Sequence, residues 1–182
     1  GKFTIDELKE FRQWGSPTTG HPEFEVARGV ENTSGPLGQG HTFAVGAAIA
    51  AKFLAAHTGN PTFAKETIYA YISDGGIQEE ISQGAARIAA VLGLDNLIMF
   101  YDANQIQLST RCDEVMFEDT AKKYEAWGWK VITIDGNDCD AIRAALTEAK
   151  AEKERPTLII GNTVMGKGAR RADGSSYEFD CG

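Results

Sequence analysis

Two apolar runs of strand length, residues 67–72 and 97–101, flank one helix-period segment, residues 78–92, and that order leaves few folds open. Gly93 directly after the segment supplies a C-terminal stop for the helix. A strand-helix-strand unit of this length brings its second strand back parallel to the first. The loops after Ile72 and after Tyr101 therefore leave the sheet at the same edge, where ligands of open α/β sheets collect.

Those two loops carry matched chemistry. The first reads Ser73-Asp74-Gly75-Gly76 and the second Tyr101-Asp102-Ala103-Asn104-Gln105-Ile106, with Asn104 thirty residues after Asp74. Asp74 offers a carboxylate, Asn104 an amide oxygen and Ile106 a backbone carbonyl, which suits a small hard cation that fills its octahedron with water and phosphate oxygens. Gly75 and Gly76 let the backbone approach a phosphate without a Cβ in the way, and the following helix N-terminus favours negative charge. Taken singly, each loop is an ordinary turn or cap.

The remainder of the chain continues the alternation. Thr4-Ile5-Asp6-Glu7 forms a capping box that predicts a helix to about Trp14. Residues 43–51 predict a buried helix, far short of the roughly 20 apolar residues that span a bilayer. A helix over 119–127 stopped by Gly128, a strand over 130–134, a turn at 135–138, a helix over 140–153 and a strand over 157–161 follow. The expected fold is α/β, a mostly parallel sheet with helices on both faces, occupying residues 1–168 with an irregular tail over 169–182. At 182 residues and 42% hydrophobic content the chain buries one sizeable core. A formal charge of −8 argues against nucleic acid or an anionic membrane as partner. Cys112, Cys139 and Cys181 are odd in number with no Cys-x-x-Cys spacing, and they read as reduced thiols of a cytoplasmic protein. No apolar leader follows Gly1-Lys2-Phe3-Thr4.

The paired loops resemble the thiamine diphosphate fingerprint, with Ser73 in place of its usual first glycine. Gly20-His21-Pro22-Glu23, the stretch from Thr33 to Gly40, Tyr124-Glu125-Ala126-Trp127-Gly128-Trp129 and Asp135-Gly136-Asn137-Asp138 narrow the likeness. In that order they resemble the diphosphate-binding domain of transketolase, from about residue 8 to 168. The resemblance implies thiamine diphosphate as cofactor, with Mg²⁺ (or Ca²⁺ or another divalent cation) held by Asp74, Asn104 and Ile106, and Gly75 and Asn104 touching the diphosphate. It places Gly35, Pro36 and Leu37 against the aminopyrimidine, where physics alone reads only a helix start with proline in its first turn. It sets His21 at the reacting end of a sugar and Glu79 near a subunit interface; by themselves these read as a turn residue and a first-turn charge. His41 and His57 receive no role.

The implied reaction moves a two-carbon ketol unit from a ketose phosphate to an aldose phosphate, the cofactor supplying the chemistry and the protein supplying position and electrostatics. The resemblance also implies a homodimer in the full enzyme, whose partner supplies the activating glutamate from a further domain. By the resemblance this chain lacks that domain, the N-terminal portion with a cofactor-contacting histidine and the histidine after Gly166-Lys167-Gly168, so the expectation is a fragment of a longer enzyme, or one piece of a split enzyme, without activity alone. A related enzyme such as dihydroxyacetone synthase remains open. So do two readings from other classes. Residues 161–168, Gly-Asn-Thr-Val-Met-Gly-Lys-Gly, match a P-loop in all but the final Ser or Thr. A fragment with an uncovered apolar face would instead act as an interaction module.

Overall fold

The computed structural model describes residues 2–108 and 110–178; Cys181 and the end of the expected tail lie outside them. Helix α1, Ile5–Lys9, opens with the expected capping box between Thr4 and Glu7. It ends at Glu10 rather than near Trp14, because Arg12 adopts a left-handed conformation and its amide donates to the Thr18 carbonyl, turning the chain back. Helix α2, Gln39–Thr58, is twice as long as the apolar run that announced it. Its buried residues His41, Ala44, Val45, Ala48 and Ala51 fall on one stripe, while Phe43, Ile49, Phe53 and Leu54 stay exposed. The helix is thus half-buried, a correction to the expectation of a buried one.

After the short helix α3, Pro61–Ala64, the sheet begins with β1, Ile68–Ser73. Helix α4, Asp74–Gln78, and helix α5, Glu80–Val91, occupy the place of the single helix expected over 78–92. The earlier start follows from Ser73, whose hydroxyl accepts the Gly76 amide as an N-cap, and Glu79 then breaks the run in an extended conformation. Next come β2, Leu97–Ala103, a tight hairpin of β3, Ile106–Gln107, and β4, Thr110–Arg111, and a 3₁₀ turn at Cys112–Glu114. Helix α6, Thr120–Trp127, is capped by Asp119 and stopped by left-handed Gly128; β5, Lys130–Asp135, α7, Cys139–Ala151, and β6, Thr157–Asn162, complete the fold.

The main sheet runs β1-β2-β6-β5 with every pair parallel. Its register aligns Ser73 with Asp102, Ala103 with Asn162 and Asn162 with Asp135, so all four strands end along one edge. Alternate residues sort to the two faces. Ala70, Ile72, Leu97, Met99, Tyr101, Leu158 and Ile160 pack with α2, α5, α6 and Trp129, whereas Ile98 and Ile159 pack with Ala145 and Ala149 of α7. Helices therefore cover both faces, as expected. No helix among the described residues is long and apolar enough to cross a membrane.

One buried group makes the larger core sensitive to acid. His41 is 2% exposed, meets Trp129 edge-on, and neither ring nitrogen has a hydrogen-bond partner among the described residues. Burial lowers its pKa from 6.5 to about 4. Between those values the unfolded chain holds the extra proton, so unfolding free energy falls as pH drops from 6.5 toward 4. The expected loss is about 3 kcal/mol across that window, because one proton taken up on unfolding changes stability by about 1.4 kcal/mol for each pH unit. Urea titrations at about pH 7.5 and about pH 4.5, on either side of most of that window, should show it, and His41→Leu should flatten the difference.

Candidate functional site

The carboxylate of Asp74 is the centre of the strand-end edge. It is 1% exposed at the first turn of α4, directly after β1. The Tyr101 hydroxyl donates to its Oδ1 at 2.6 Å, and the backbone amides of Asn104 and Gln105 donate to its Oδ2 at 3.0 and 3.1 Å. A buried carboxylate needs such compensation, and these donors come from β2 and the loop after it. Burial, then the bond to Asp74, raises the Tyr101 pKa; the same two causes push the Cys112 thiol up to about 12. Both remain protonated at neutral pH, and the Tyr101 hydroxyl is the donor to Asp74.

The loop beyond β2 is built by its own polar groups. Asn104 Oδ1 accepts the Ile106 amide at 3.0 Å, and Gln105 holds a left-handed conformation that lets the chain reverse into β3. Gln78 ties this loop to α4, its Nε2 donating to the Asp74 carbonyl at 2.9 Å and to Gln107 Oε1 at 2.6 Å. Asp74, Asn104 and Ile106 are thus brought onto one short stretch of the edge. Among the described residues no three of His, Cys, Asp and Glu gather as a ligand cluster. A cation here would rest on one carboxylate, neutral protein oxygens and its own anionic ligand, which is the donor chemistry of a metal-bridged phosphate.

Above this edge lies a cleft of about 830 Å³ lined by His21, Gly35, Leu37, Gly75, Glu79 and Ile106, together with Ser73, Gln78, Glu80, Gln107, Leu108 and Thr110. Sequence segments far apart in the chain meet in it. A Cβ on Gly35, whose φ is +143°, would lie 3.3 Å from the His21 ring, and one on Gly75 would lie 3.5 Å from Leu37 Cδ1. The loops of His21 and Gly35 are also strapped together, Ser34 donating to the Pro22 carbonyl and Phe24 to the Thr33 hydroxyl. Gly38, at φ +82°, fits so closely against Ile81 and Ser82 that a Cβ would stand 2.7 Å from each. Asp74, Asn104 and Pro36 are outside this lining: Asp74 is buried between the lining residues Ser73 and Gly75, Asn104 is hydrogen-bonded to Ile106, and Pro36 is exposed.

Sequence reasoning missed the groups that hold Asp74, namely the Tyr101 hydroxyl and the amides of Asn104 and Gln105, and the Gln78–Gln107 link. Their residue types carry no signal until the tertiary fold places them. The P-loop likeness does not survive the structure. After β6 the chain makes successive turns through left-handed Gly166 and Gly168 and a bridge between Arg170 and Ser176, with no helix among described residues 163–178 to receive a phosphate.

Comparison with known proteins gives one consistent answer. The family described as transketolase, thiamine diphosphate binding domain, matches residues 2–178. Transketolase 1 of Vibrio cholerae is 47% identical over 183 residues, covering 99% of this chain and 27% of its own length. Transketolase from Leishmania mexicana superposes with a TM-score of 0.81 at 42% identity, over 90% of this chain and 25% of its own. A Pichia stipitis transketolase in complex with sedoheptulose-7-phosphate gives a TM-score of 0.82 at 38% identity, over 90% and 25%. The chain spans about a quarter of the length of the relatives it matches.

Proposed function

Because the chain belongs to the transketolase family, through its thiamine diphosphate-binding domain, we propose that it anchors that cofactor's diphosphate through a divalent cation held by Asp74, Asn104 and Ile106. The observation that supports this reading is that Asp74, Asn104 and Ile106 are linked by hydrogen bonds at the edge of a cleft lined by Gly75 and Ile106. Mg²⁺ suits the set best, since it keeps water and phosphate oxygens and takes few protein ligands. Gly75 lets the backbone close on the diphosphate, and the Gly35-Pro36-Leu37 loop, braced by His21, presents an apolar wall to the cofactor ring.

In the complete enzyme the bound cofactor supplies the electron sink for carbon–carbon cleavage. The residues here position and shield. His21, exposed at the mouth of the cleft, is placed to hydrogen-bond sugar hydroxyls, and Glu79 lies exposed at the break between α4 and α5, where a second subunit can meet it. The substrates we infer are a ketose phosphate donor and an aldose phosphate acceptor; the sugar phosphate in the Pichia stipitis complex supports the class. The exposed apolar residues of α2 support a homodimer in the full enzyme. We further propose that the chain alone, a quarter of its relatives' length, transfers no ketol unit.

The test is calorimetric titration of thiamine diphosphate into the chain with Mg²⁺ and, in parallel, with EDTA. Saturable binding confined to the Mg²⁺ arm is the expected result. Equal binding in EDTA, or none in either arm, would remove the metal-anchored site from this chain.

A further inference from the structure

We infer that Tyr101 is a positioning residue for the cation: its hydroxyl aims the Asp74 carboxylate and so sets the preference of the site for Mg²⁺ over Ca²⁺. The inference rests on the metal-anchored reading above and adds a residue that touches neither cation nor cofactor.

The geometry behind it is specific. Asp74 Oδ2 is shared by two backbone amides, which fix one end of the carboxylate; the other end, Oδ1, is oriented by the Tyr101 hydroxyl at 2.6 Å. Tyr101 is 3% exposed and lies on β2 in register with Ile72, two residues before Asp74, so the strand pairing itself delivers the hydroxyl. The Tyr101 side chain is itself fixed by packing in the larger core, and among the described residues its hydroxyl is the one hydrogen-bond donor to Oδ1, so that bond sets the angle of this end of the carboxylate. Charged oxygens with well-placed donors keep one direction for their remaining lone pairs.

That angle matters unequally to different ions. Mg²⁺ demands near-ideal octahedral geometry at about 2.0–2.1 Å, whereas Ca²⁺ accepts six to eight oxygens at about 2.3–2.6 Å in flexible arrangements. A carboxylate freed to rotate therefore penalises Mg²⁺ more. Loss of partners that orient metal ligands weakens metal binding by roughly 10–100-fold.

The experiment measures thiamine diphosphate binding by calorimetry in Mg²⁺ and in Ca²⁺, for the parent chain and Tyr101→Phe, with thermal unfolding of each cation-free protein. Tyr101→Phe should weaken Mg²⁺-supported binding by roughly 10–100-fold and Ca²⁺-supported binding by clearly less. A merely structural role would weaken both cations alike or neither. An unchanged Mg²⁺/Ca²⁺ ratio in Tyr101→Phe, with the parent binding normally, overturns the inference and leaves the site reading intact. A parent chain that binds with neither cation removes the site reading, and the role of Tyr101 with it.

Discussion

Replacing Asp74 by alanine should abolish Mg²⁺-dependent binding of thiamine diphosphate, weakening it by at least about 100-fold, and should also destabilise the fold by about 2–4 kcal/mol. The two effects have one cause. The carboxylate is the only charged member of the proposed ligand set, so its loss leaves the amide of Asn104 and the carbonyl of Ile106 to hold a dication that needs anionic oxygen. Its loss also strands the Tyr101 hydroxyl and the amides of Asn104 and Gln105, each left without its acceptor. Asp74→Asn keeps the volume, its oxygen can accept the two amides and its NH₂ can donate to the Tyr101 oxygen, so it should retain most of the stability while losing the negative charge that the dication needs. Urea unfolding gives the stability change, and calorimetry below the unfolding range of each variant gives the binding change. Cofactor binding by folded Asp74→Ala at parental affinity would place the diphosphate elsewhere in the cleft.

The strand-helix-strand unit is legible because its apolar runs are bounded by residues that stop them, Ser73 and Gly93 among them. Helix ends are less legible, for reasons visible in single residues. Lys52 interrupts the apolar run that opens α2, yet it falls one turn beyond Ala48 on the packed face, where its ammonium pairs with Asp95, and the helix continues to Thr58. Phe11 and Trp14 keep an apolar spacing going beyond α1, but both stay exposed and Arg12 has already reversed the chain. An apolar pattern reports what a face could bury, and only tertiary packing decides whether anything meets it.

The site divides along the same line. Oxygen donors at a strand-end edge can be read from residue type and spacing, because the topology carries them to one place whatever their side chains do. The donors that hold Asp74 cannot. Tyr101 looks like any aromatic strand residue, and Gln78 like a helix surface residue until its amide bridges the Asp74 carbonyl to Gln107. The contact of His21 with Gly35 spans fourteen residues of irregular chain, for which periodicity has nothing to say.

The second large effect concerns two tryptophans that sequence treats as equals. In Trp127-Gly128-Trp129 the glycine takes a left-handed conformation, φ 101°, which ends α6 and sends the two rings to different surroundings. Trp129 is 1% exposed, donates its indole N–H to the Ala86 carbonyl at 2.9 Å, and meets Tyr124 and His41 edge-on. Trp127 is only half-buried, lying against Tyr124 with Arg87 and Lys123 over its ring. Trp129→Ala should therefore lower unfolding free energy by about 3–5 kcal/mol, whereas Trp127→Ala should cost about 1 kcal/mol. Denaturant unfolding followed by circular dichroism compares them directly. The larger change also reaches the site, because Ala86 belongs to α5, and the segment leading into that helix forms the cleft wall at Glu79 and Glu80. Equal losses in the two variants would mean that Trp129 pins nothing that Trp127 does not, and that the path from the aromatic core to the cleft runs through another contact.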